Sequence, residues 1–102
     1  MNIVIPTIRD KTDGARLRDH YVSVLDKLFA VIHHWIPYCR PTDHHYASEV
    51  LPHALRAHAV RESLLREIYY QYLHIILGIQ NQIDAMRKVE SKPPVTLEKR
   101  AG

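Results

Sequence analysis

The chain has 102 residues, 46% of them hydrophobic and 25% charged, with 14 Lys and Arg against 11 Asp and Glu for a formal charge of +3. That composition belongs to one ordinary globular domain and excludes the low-hydrophobicity, high-charge class of disordered chains. The mild basic excess falls short of a nucleic-acid footprint, and a lone cysteine, Cys39, excludes an intrachain disulfide scaffold and points to a reducing cytoplasm.

Residues 1–12 read as an extended arm, because Ile3 and Ile5 alternate with Asn2 and Val4 before Pro6 interrupts the pattern. Met1 to Pro6 carries no basic leader ahead of an apolar run, so no secretory signal is expected. Asp13 is the expected N-cap of a first helix over about 14–36. Its apolar stripe is Leu17, Tyr21, Val24, Leu28, Val31 and Trp35, widened by Leu25, Phe29, Ile32 and Ile36. Pro37 and Pro41 end it, since each lacks an amide hydrogen and pushes the residue before it out of the α region.

A polar connection comes next, with Asp43, His44 and His45 in a turn capped by Thr42. The second helix is expected over about 49–90, with Pro52 in the first turn, where a missing N–H costs little. Leu65, Tyr69, Tyr72, Ile76, Ile79, Ile83 and Met86 keep a 4-3-4-3 spacing, the seam of helices packed at a shallow angle. Leu64, Ile68, Leu73, Ile75 and Leu77 lie outside that seam. From Leu64 to Ile79 the helix is therefore apolar over more of its circumference than one facing helix covers, and a second copy of the chain is expected to cover the rest. Leu65, Ile68, Tyr69, Tyr72, Ile76, Ile79 and Ile83 are the residues expected at that dimer interface. Pro93 and Pro94 stop the helix and leave 93–102 as a flexible tail. The longest apolar stretch, Leu73 to Ile79, is far short of the ~20 residues that span a bilayer, so no membrane partner is expected.

The eight histidines, His20, His33, His34, His44, His45, His53, His58 and His74, are where metal chemistry would lie. Glu49 with His53, and His58 with Glu62, have the i, i+4 spacing that brings two ligands to one ion on a helix. Isolated pairs of this kind arise in any helix holding these residues, and neither HExxH nor a multi-helix carboxylate set is present. No metal or other cofactor is expected. Cys39, with His33, His34, His44 and His45 near in sequence, could be an activated thiolate, yet its place between Pro37 and Pro41 reads as an inert loop position. Arg56, Arg61 and Arg66 are interleaved with Glu62 and Glu67, which is a solvated helix face and not a phosphate track. Tyr69, Tyr70 and Tyr72 could stack bases, but they occupy the apolar centre of a helix. With no catalytic motif, the chain is not expected to be an enzyme.

The stretch from His53 to Ile79, above all Leu73-His74-Ile75-Ile76-Leu77-Gly78-Ile79 closing a long apolar run, resembles the C-terminal helix of the TraM family of quorum-sensing antiactivators. His20 and Leu28-Phe29 on the first helix fit the same pattern, while the longer connection and the residues beyond Ser91 depart from it. The resemblance implies an all-helical dimer with two long antiparallel helices per subunit that binds a LuxR-type regulator and keeps it off DNA.

The expected fold is all-α: a single domain over 1–92, built as an antiparallel hairpin of two long helices in a dimeric bundle. The expected function is non-catalytic, binding and inhibiting another bacterial protein such as a transcriptional regulator. Arg56, Arg66, His44 and His45 are the candidates for partner contact, because exposed arginine pairs bidentately with carboxylates. A histidine-rich metal-binding protein and a weak nucleic-acid-binding accessory protein are the alternatives.

Overall fold

The computed structural model describes residues 3–91; the tail expected over 93–102 lies outside them. In chain order come α1 (Lys11–Ala30), a π-helical turn (Val31–Trp35), a 3-10 turn (Ile36–Cys39) and α2 (Leu51–Ser91). No strand occurs among the described residues. The architecture is an extended antiparallel hairpin of two long helices.

The first helix starts earlier than an Asp13 cap would place it. Asp10 has extended backbone angles, and its side chain accepts from the Asp13 N–H at 2.8 Å, so Asp10 is the cap. Asp13 then sits in the first turn, where a carboxylate faces the positive end of the helix dipole. At the other end, Pro37 has no N–H to give to the His33 carbonyl. The chain answers with a wider turn, in which the Ile36 N–H donates to Val31, five residues back. Because a π turn shifts the helical phase of the residues after it, Trp35 rotates out of the seam and is 66% exposed. The inner row of α1 is Gly14, Arg18, Tyr21, Leu25, Leu28 and Ile32, spaced 4-3-4-3-4 and buried or half-buried throughout. Val24, expected on that row, is exposed.

The seam of α2 meets this row. Tyr72 lies 5.7 Å from Tyr21 and Tyr69 lies 6.3 Å from Phe29, ring centre to ring centre. Ile79 and Ile83, 0% and 1% exposed, fill the centre of the contact together with Ile8. Arg18 donates to the Gln80 side chain at 2.8 Å, and Lys11 pairs with Glu90 at 2.6 Å. The Lys11 and Glu90 side chains are 40% and 57% exposed, so water screens the pair and it stabilises by only about 0–1 kcal/mol.

Forty-one residues make α2 about 60 Å long, twice the length of α1. Phe29 already stands against Tyr69, so the N-terminal turns of α2 project past α1. The radius of gyration, 22.6 Å, compares with about 13 Å for a compact chain of this length. No helix among the described residues is long and apolar enough to cross a membrane.

The N-terminal arm is part of the body. The Ile8 N–H donates to Gln82 Oε1 at 3.0 Å, and Gln82 Nε2 donates to the Pro6 carbonyl at 2.7 Å. Two glycines give the arm its room: a Cβ on Gly78 would stand 2.5 Å from Ile5 Cγ2, and one on Gly14 would stand 2.6 Å from Ile8 Cδ1. Replacing Gln82 with leucine removes both hydrogen bonds and strands the Ile8 N–H in an apolar setting. The expected cost is about 1–3 kcal/mol in urea denaturation, with faster hydrogen exchange at the Ile8 amide. Equal stability and unchanged exchange would mean that the arm is held by Ile5 and Ile8 packing alone.

Candidate functional site

The seven residues expected at a dimer interface divide into two groups. Ile76, Ile79 and Ile83 are buried within the single chain, and Tyr69 and Tyr72 take ring contacts from α1. Leu65, on the same seam, is half-covered. The physical cause is plain: a 4-3 seam marks where helices pack, and here α1 of the same chain occupies most of it. What stays open is the neighbouring flank of α2, where Val60, Leu64 and Ile68 are 57%, 53% and 40% exposed. Their spacing of four stacks them in one row. Further along α2 the arm lies on the helix at Gly78 and Gln82.

The four residues expected to contact a partner do not form one patch. Arg56 and Arg66 are ten residues apart on a continuous helix, roughly 15 Å along its axis. Arg56 lies beside the ring nitrogen Nδ1 of His53 at 3.5 Å. His44 and His45 sit edge to face, 6.4 Å apart, in the exposed turn closed by Thr42. Arg66 has different company. It lines a recess of about 280 Å³ with Phe29, Ile32, His33, Tyr69 and Tyr70. The His33 ring is 4.2 Å from Phe29, and Tyr70 meets Tyr69 edge-on at 5.9 Å.

A second, larger groove of about 640 Å³ lies between the start of α1 and the end of α2, with Met86 and Val89 on its apolar side. Of its charged groups, Lys11 pairs with Glu90 and the Asp10 carboxylate accepts from the Asp13 N–H, while Arg9 lines the groove beside them.

The remaining candidates are scattered. No group of three His, Cys, Asp or Glu side chains able to hold a metal ion comes together among the described residues. Cys39 ends the 3-10 turn as an exposed free thiol. Charge alone points to Arg66 in the sequence but not to its neighbours Phe29, Ile32 and His33, which the end of α1 and the π turn bring beside it. No family model matches the chain, and neither a curated protein nor a solved structure matches it.

Proposed function

We propose that this chain is a non-catalytic interaction protein that binds another bacterial protein, such as a transcriptional regulator, and inhibits it. The observation that carries the reading is the row Val60, Leu64 and Ile68, open to solvent on a hairpin that buries only Ile8, Ile32, Ile76, Ile79 and Ile83 among its described large apolar side chains. Phe29, Trp35 and Tyr70 add exposed aromatic surface on another side. Apolar area of this extent on a small protein is costly in water and is characteristic of surfaces that meet a partner. A second copy covers the α2 row, and the regulated protein takes the side that bears Arg66 and the exposed aromatic rings. The resemblance of His53 to Ile79 to the TraM antiactivators supports the same reading, with a cytoplasmic regulator as the target.

Co-purification of the full chain from its source should yield one stoichiometric protein partner. The variant Arg56→Glu with Arg66→Glu should fold normally, yet associate with that partner more slowly, most visibly at low salt, where screening is least. A stoichiometric transition metal in untagged protein, with a melting temperature that falls steeply on adding chelator, would overturn this reading in favour of the histidine-rich metal-binding alternative.

A further inference from the structure

We propose that the recess between the π turn and α2 takes a single aromatic or large aliphatic side chain from an acidic peptide segment of a partner, with a neighbouring carboxylate held by Arg66. This deepens the interaction reading and rests on it.

The chemistry of the recess is mixed in a specific way. Ile32 is 3% exposed and forms an apolar floor, while Phe29, Tyr69 and Tyr70 supply ring surface at the walls and His33 lies against Phe29. Phe29 and Tyr70, 48% and 58% exposed, leave ring faces in water that an incoming apolar group would cover. Arg66 is the cation of the recess. Among the described residues it has no carboxylate within 4 Å and no hydrogen-bond partner, although Glu62 stands one turn before it and Glu67 beside it in sequence. Its donors are therefore free for an external acceptor, and a carboxylate is the acceptor that matches the guanidinium fork.

Size selects the occupant. At about 280 Å³ the recess is at the small end of the roughly 300–1,000 Å³ range of ligand sites and has room for one side chain of a larger partner. Tyrosine and arginine around an apolar floor are also the composition of interface hot spots, where truncating one residue costs much of the affinity. The π turn contributes directly, since the widened backbone at Val31–Trp35 presents Ile32 and His33 to the recess.

The test is a selection of random peptides displayed on phage against the purified full chain, followed by titration of the selected peptides as synthetic, end-blocked molecules. Selected sequences should carry Phe, Trp, Tyr or Leu within two residues of Asp or Glu, and their binding should shift the amide signals of Phe29 to His33 and Arg66 to Tyr70. Arg66→Gln should weaken binding about tenfold, as expected for loss of a charged hydrogen bond. Changing the peptide's Asp or Glu to Asn or Gln should weaken binding equally, with no further loss on the Arg66→Gln protein. Tyr70→Ala should weaken it as well while leaving the thermal melt unchanged. Peptides that bind Arg66→Gln as tightly as the unmodified chain, or whose signals map to Val60 and Leu64 while those of Phe29 to His33 stay unmoved, overturn the recess and leave the interaction reading standing. A selection that enriches nothing overturns the recess too, and the co-purification above then decides the interaction reading separately.

Discussion

Replacing Ile79 with alanine is expected to cost about 3 kcal/mol of folding stability and to lower the melting temperature by roughly 15 °C, within the usual range for deleting buried methylenes from a small domain. Ile79 is fully enclosed where α1, α2 and the arm meet, and its neighbours Ile8 and Ile83 are buried with it. Few other side chains share the load. With so small a core, the cavity left at Ile79 removes contacts from all three elements at once, and the helices cannot close it without breaking the Arg18 to Gln80 and Ile8 to Gln82 bonds. Val89, 75% exposed on the same helix, gives the comparison. Val89→Ala should change stability by less than about 0.5 kcal/mol. Urea denaturation monitored by circular dichroism measures both. A loss under about 1 kcal/mol for Ile79→Ala would mean that the hairpin contact is not what holds the chain together.

The helices are legible in the sequence because their signals are local and periodic. The seam from Leu65 to Met86 repeats over many turns, and Pro52 and the polar connection bracket α2 from its start. The features that escape a sequence reading depend on contacts between distant residues or on backbone geometry. Asp10 and Asp13 carry the same capping chemistry three residues apart, and only the fold decides between them. The π turn arises from Pro37, but its effect on phase, which sends Trp35 outward, is not written in the spacing of apolar residues. Gly78 lies within the apolar run, yet its use as a seat for Ile5 appears only when the arm is laid on α2. The site is legible in part. Charge identifies Arg66, and Tyr70 is its neighbour one turn on, whereas its grouping with Phe29 and His33 needs the register of the two helices.

Changing Leu64 and Ile68 together to glutamate is expected to convert a dimer into a folded monomer. An Ile76→Asp substitution would not read out association, because Ile76 is buried in the hairpin and an unpaired carboxylate there would unfold the protomer. Leu64 and Ile68 are on the exposed flank of α2, with Val60 one turn before them. Glutamate is a good helix former, so the double variant should keep its helicity while placing two like charges opposite their copies in a symmetric pair. The row is short, and specific stable interfaces bury about 800 Å² per partner. A stable dimer must therefore extend the contact beyond three side chains, and the turns of α2 that project past α1 provide length for two helices to run side by side. Light scattering at micromolar concentration should report twice the chain mass for the unmodified protein and the chain mass for the variant, with matching circular dichroism. A monomeric unmodified protein would sink the idea outright. An intact dimer in the double variant would move the interface away from this flank, toward Phe29, Trp35 and Tyr70.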